Sequence, residues 1–195
     1  MAPDPTPTPD PSRFVSRGGG KLEKALDAFG IDPTGYSCAD LGCSTGGFVD
    51  CLLQYGARQV FAVDTAYGEL AWKLRQDERV TVMERTNALH AEPPADGAQA
   101  CDLVTLDLGW TKQDRALPAT LRWLKPDGRV ITLVKPHYES GQHRLEDAEA
   151  ERITQDVLAT LPGLGWDVTD TVESPVRGGK GKNREWLALL TQRTA

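Results

Sequence analysis

No hydrophobic run in the 195-residue sequence is long enough to cross a membrane. The clearest aliphatic stretch, residues 130–134, has the length of one strand. Excess positive charge is missing as well. The 22 Lys and Arg face 28 Asp and Glu, a net charge of −6, which is the wrong sign for a protein that coats nucleic acid non-specifically. A nucleic-acid partner therefore has to meet a local basic patch. The four cysteines, Cys38, Cys43, Cys51 and Cys101, form no CxxC pair, so neither a zinc ribbon nor a disulfide framework is indicated, and buried thiols in a reducing cytoplasm fit the pattern. His90, His137 and His143 have no metal-ligand spacing, and no metal is expected. Residues 1–12 alternate Pro with Asp, Thr and Ala and lack the basic and apolar regions of a secretory signal. The expected organisation is a disordered tail over 1–13 and one domain over 14–195.

Ordinary proportions of hydrophobic (39 %) and charged (26 %) residues exclude a wholly disordered or membrane-embedded chain. Leu22, Ala25, Leu26 and Phe29 recur at helical spacing before Gly30, predicting a short helix opened by Gly18 to Gly20. Strands are predicted over 36–41, 59–63, 80–83, 101–106, 129–134, 166–172 and 186–190. Helices are predicted over 48–55, through Leu70 to Leu74, over 118–124, and along a face carrying Leu145, Ile153, Val157 and Leu161. Alternating strands and helices predict a Rossmann-like α/β fold, a mostly parallel, doubly wound sheet with helices on both faces.

Residues Asp40-Leu41-Gly42-Cys43-Ser44-Thr45-Gly46-Gly47, with Phe48 opening the next helix, lie at the carboxyl end of the first predicted strand, where open α/β sheets bind ligands. Glycines there admit a ligand to the backbone, and the helix N-terminus attracts a carboxylate or phosphate. Asp64 ends the second strand, the place for a side chain that accepts from ribose hydroxyls. A nicotinamide cofactor asks for GxGxxG, whereas the DxGxxxGG found here fits S-adenosylmethionine (SAM). Cys43 has no His base assigned beside it and reads as a small buried residue.

Three segments, Phe14 to Glu23 (FVSRGGGKLE), Asp40 to Gly47, and Glu84-Arg85-Thr86-Asn87, resemble the TlyA-like branch of the FtsJ-type ribose methyltransferases. The resemblance implies a SAM-dependent 2′-O-methyltransferase acting on RNA, usually ribosomal, with a Lys-Asp-Lys-Glu catalytic group and no metal. By position this group is Lys21, Asp107, Lys135 and Glu185. Chemistry supports the set independently: a ribose hydroxyl needs a base, and burial with a second cation nearby should lower the pKa of Lys135 enough to serve. Glu84 and Asn87 are candidates for the adenine or ribose.

Arg177, Lys180, Lys182 and Arg184 form a basic loop beside Glu185, to which Arg17 adds, and phosphate contact is expected there. Trp110, Tyr138 and Trp186 are candidates to stack on bases, with core or rim packing as the competing role. The sequence departs from the family pattern at Leu108-Gly109-Trp110, where a Ser-Phe pair is usual, and at His137-Tyr138-Glu139, where Gln-Phe-Glu is usual. A short Pro-rich tail stands where relatives carry a small RNA-binding module, which leaves room for a partner protein that delivers the substrate. Three rival readings remain open: methylation of a small molecule or another RNA position, a SAM- or RNA-binding regulator or assembly factor without turnover, and membrane lysis. The absence of a basic amphipathic or spanning segment opposes the last.

Overall fold

The computed structural model describes residues 13–178 and 182–193, so the expected tail, Arg13 apart, and Lys180 lie outside the described residues. Helix α1 spans Arg17–Phe29, one turn earlier than the glycines suggest. Ser16 caps it by accepting from the Gly18 N–H at 3.3 Å, and Gly30 ends it at φ +62°. The three glycines sit inside the helix, and at Gly19 a neighbour leaves no room for a side chain. A Cβ on Gly19 would lie 2.2 Å from Phe14 Cγ, and Phe14 is buried.

Strand β1 (Ser37–Leu41) leads through the glycine loop into α2 (Gly47–Gln54), then β2 (Gln59–Val63), a four-residue α3 (Trp72–Arg75) and β3 (Val80–Met83). After β4 (Cys101–Leu106) come α4 (Gln113–Ala116) and a 3₁₀ turn over Leu117–Arg122, in place of the single helix predicted over 118–124. Leu124 already belongs to β5 (Leu124–Val134), which is followed by α5 (Pro136–Ser140) and α6 (Asp147–Thr160). Leu145 thus precedes the long helix predicted to contain it. Strands β6 (Trp166–Glu173) and β7 (Trp186–Gln192) finish the chain.

The seven strands are ordered β3-β2-β1-β4-β5-β7-β6, parallel except that β7 runs antiparallel to both its neighbours. Strand β1 is buried throughout because both faces of the sheet are covered. One face packs Leu22, Leu26, Val49 and Leu52 from α1 and α2; the other packs Phe61, Leu117 and Trp123. Register then decides what meets at the edge. Leu41 pairs with both Val63 and Leu106, so Gly42, Asp64 and Asp107 emerge side by side. Val134 pairs with Trp186, the first residue of antiparallel β7, which brings Glu185 beside Lys135 at the same edge. The helix α1 packs on α2, β6 and β7 and carries Lys21 to that edge.

Candidate active site

The glycine loop turns where no side chain would fit. At Gly42 the backbone has φ +95°, and a Cβ would lie 2.6 Å from the Asp107 carbonyl oxygen. Gly46 has φ +97° and faces the Leu70 and Leu74 side chains. Gly47 lets the N-termini of α1 and α2 converge, since a Cβ there would meet Ser16 Oγ at 2.3 Å and the Gly19 nitrogen at 2.7 Å. The resulting pocket is lined by Arg17, Lys21, Asp40, Ser44, Thr45 and Phe48, among others, with Asp107 at its margin. Asp40 is 1 % exposed. Its Oδ1 accepts from Thr105 Oγ1 at 2.7 Å, and its Oδ2 has no partner among the described residues. Burial pushes this carboxyl up to about 7, with the Asp107 and Asp64 charges adding to the shift.

A second cleft continues from Gly42 and Ser44 past Asp64, Asn87 and Asp107 to Trp110. Asp64 is held by backbone donors, Ser44 N–H and Ala66 N–H, each at 2.8 Å. Two of its lone pairs are thereby used, and carboxylate geometry leaves acceptor capacity facing the cleft. Glu84 does not line this cleft. Its carboxylate pairs with Arg75 and accepts from the Gly68 N–H at 2.8 Å, bracing the segment between β2 and β3.

A third cleft adjoins the first at Lys21 and is lined by Trp110, Lys135, His137, Tyr138, Asn183 and Glu185, among others. The four proposed catalytic groups meet here as two ion pairs: Lys21 Nζ with Glu185 Oε2 at 2.5 Å, and Lys135 with Asp107. Lys135 also donates to the Leu108 carbonyl at 3.4 Å and lies 5.4 Å from the Tyr138 ring centre. The expectation of a lowered Lys135 pKa is corrected. Burial does pull it down, but the Asp107 charge and hydrogen bond and the Glu185 charge outweigh burial, and the amine is held above its ordinary value. Trp110, 82 % exposed and at φ +58°, stacks on Tyr138 with ring centres 4.6 Å apart. A tryptophan in the left-handed region is strained, a feature that concentrates at binding sites.

The basic loop is less available than its sequence suggests. Arg177 forms a fork with Asp147 at 2.7 and 2.8 Å, and Arg184 forms another with Glu173 at 2.6 and 2.7 Å while also reaching Glu151. Their charges go first to tying the loop to α6 and β6. Lys182 has no carboxylate partner among the described residues and lines a groove with His143 and Arg144, neither of which the sequence singled out. Trp186 is 9 % exposed and packs with Leu145 and Ala150, a core role rather than a stacking one. Asn183, also missed, fastens the groove: it accepts from Leu145 N–H at 2.9 Å and donates to the His143 carbonyl at 3.1 Å. Its signal lay only in the fold, because its partners are about forty residues away in sequence. Burial pushes the Cys43 thiol up, which leaves it inert as a nucleophile. No group of three or more metal-ligating side chains occurs among the described residues, nor is any helix there long and apolar enough to cross a membrane.

Sheet order, an antiparallel seventh strand, and a glycine loop facing an acidic residue at the end of β2 together define a Rossmann-like methyltransferase. More particularly, the chain belongs to the FtsJ-like methyltransferase family, whose family model matches residues 14–190. It is 40 % identical over 186 residues to "16S/23S rRNA (cytidine-2'-O)-methyltransferase TlyA" of Mycobacterium tuberculosis, covering 92 % of this chain and 69 % of that protein. It is 41 % identical to "Putative rRNA methyltransferase YqxC" of Bacillus subtilis, covering 93 % of this chain and 66 % of that one. The chain thus spans about two thirds of the length of these curated relatives. A solved structure described as "Putative hemolysin from Streptococcus thermophilus" superposes with a TM-score of 0.87 at 38 % identity, covering 95 % of this chain and 70 % of that one.

Proposed function

We propose that the chain transfers a methyl group from SAM to a ribose 2′-hydroxyl of RNA, with ribosomal RNA as the substrate class and the cytoplasm as its compartment. The observation that carries this reading is the meeting of Lys21–Glu185 and Lys135–Asp107 where the glycine-loop pocket joins the Trp110–Tyr138 cleft. The names of the TlyA and YqxC relatives support the choice of RNA.

The pocket fits a cofactor with an amino-acid end and a nucleoside end. The unpaired Asp40 Oδ2 suits an ammonium, and the converging starts of α1 and α2, with Arg17, suit a carboxylate. Asp64 suits ribose hydroxyls, and Asn87 and Leu108, which line the same cleft, would hold the nucleoside end. SAM supplies a methyl group on a cationic sulfur, so the protein's work is alignment and removal of the acceptor's proton. Asp107 orients the Lys135 amine, Glu185 orients that of Lys21, and the stacked pair Trp110–Tyr138 offers a platform for a base. Lys135 rests as an ammonium and must shed its proton before it can take the hydroxyl's. Burial favours that loss, and a cationic cofactor alongside adds to it.

Transfer of labelled methyl from SAM to RNA tests the assignment. Lys135→Ala should lose on the order of 10² or more in rate while keeping cofactor affinity. Lys135→Arg should not recover it, because a guanidinium stays charged. Near-normal turnover in Lys135→Arg would remove the general base, and a parent protein that methylates small molecules but no RNA would redirect the substrate.

A further inference from the structure

Methyl transfer by the two lysine–carboxylate pairs leaves one polar group of the acceptor cleft without a task. The His137 ring is half-buried and tilts against Tyr138 with centres 4.2 Å apart. Its Nδ1 is out of contact with solvent and has no hydrogen-bond partner. Among the described residues lining that cleft, it is the one buried side-chain nitrogen or oxygen in this condition. Buried polar atoms are ordinarily paired, and one left unpaired bears the full cost of its lost water.

The surroundings indicate what would pair with it. His137 is the second residue of α5, whose N-cap is Lys135, so one short turn fixes the imidazole relative to the amine. The charged neighbours are already matched: Lys21 of α1 with Glu185 ahead of β7, and Lys135 at the end of β5 with Asp107. Tyr138 belongs to the stacked platform, and His143 is exposed on the loop after α5. The hydrogen-bonding need left in this wall of the cleft is therefore that of the imidazole nitrogen, which an entering group meets once the ring turns towards it.

We propose that His137 is an acceptor-binding residue, its neutral ring hydrogen-bonding through Nδ1 to a polar group of the nucleotide stacked on Trp110 and Tyr138. The inference rests on the RNA reading of the cleft. Neutrality matters, because a protonated ring would lose its acceptor lone pair and add a third cation beside Lys21 and Lys135. The surroundings keep it neutral: burial lowers its pKa first, Glu185 opposes, and Lys135, His143 and Lys21 lower it further.

The test is methyl transfer from labelled SAM into ribosomal RNA between about pH 5.5 and 8.5 for the parent, His137→Ala and His137→Gln, with calorimetric cofactor affinity alongside. His137→Ala should raise KM for RNA about ten-fold, the size of one lost hydrogen bond, with kcat and cofactor affinity little changed. Gln keeps a donor and an acceptor but does not titrate. His137→Gln should therefore recover most of the KM and, at saturating SAM, hold the KM for RNA level on the acid side where the parent's rises, while the fall in kcat set by Lys135 remains in both. An unchanged KM in His137→Ala, or a KM for RNA that still rises on the acid side in His137→Gln, overturns the role of His137 while leaving the RNA reading intact. A parent that binds SAM yet methylates no RNA overturns both.

Discussion

Asp40 and Lys135 carry perturbed charges for opposite reasons, and each gives the site a measurable pH dependence. Asp40 is raised because nothing charged compensates its burial, so in the free protein it is about half ionised near neutrality. Only its carboxylate pairs with an ammonium. SAM affinity measured by calorimetry should therefore rise with pH between about 6 and 8, with release of a proton on binding, and Asp40→Asn should flatten that dependence. Lys135 is raised because Asp107 faces it. With Lys135 as the proposed base, turnover should climb with pH into the alkaline range. Asp107→Asn removes the charge that holds the proton, so its pH–rate profile should move to lower pH even though its maximum falls. A profile that stays in place would show that Asp107 does not control the amine. Asp40, Asp107 and Lys135 were identifiable in the sequence, by their places after Ala39, Leu106 and Val134, but the sign of the Lys135 shift was not. It depends on which carboxylate lies closest, a matter of angstroms.

At the level of elements, the proposed cofactor pocket depends on the junction of α1 with the glycine loop. Two helix starts, Ser16–Gly18 and Gly46–Gly47, approach so closely that hydrogen is the largest side chain allowed between them. Gly47→Ala should cost about 1–3 kcal/mol of stability through overpacking against the Gly19 backbone. It should also weaken SAM binding, because the two helix starts must separate. Thermal melting with calorimetry checks both, and a variant that melts lower but binds SAM normally would uncouple the junction from the cofactor. The strand–loop–helix pattern here was legible because apolar periodicity and glycines are local signals. Helix α5 was not, since the five residues after Lys135 hold no periodicity, and the glycines of α1 read as an opening because local propensity disfavours them inside helices.

Across the whole molecule, net charge and ion pairing set how RNA can be held. Arg177 and Arg184 face acidic partners, whereas Arg17, Arg144 and Lys182 at the cleft margins have none among the described residues. With about three phosphate contacts available, the affinity of this chain for single-stranded RNA should fall with salt at a log–log slope of about −2. Fluorescence anisotropy across a salt series measures it. Arg144→Ala should make the slope shallower by about 0.7, and a slope several times steeper in the parent would mean that Arg177 and Arg184 leave their carboxylates to meet RNA.

Taken alone, the sequence determined the alternation of strands and helices and the glycine loop, and it singled out the four charged residues proposed as the catalytic group, because each is written in short-range pattern or in segments shared with relatives. Tertiary structure decided how those four pair. Glu185 reaches Lys21, 164 positions away, only because β7 runs antiparallel and α1 packs across β6 and β7. It also decided that Arg177 and Arg184 serve the loop's anchoring, that Trp186 is core, and that His137 faces a cleft unpaired. Charge type and spacing are local properties of a chain. Which opposite charge a side chain finds, and whether water can reach it, depends on residues brought together from across the whole sheet.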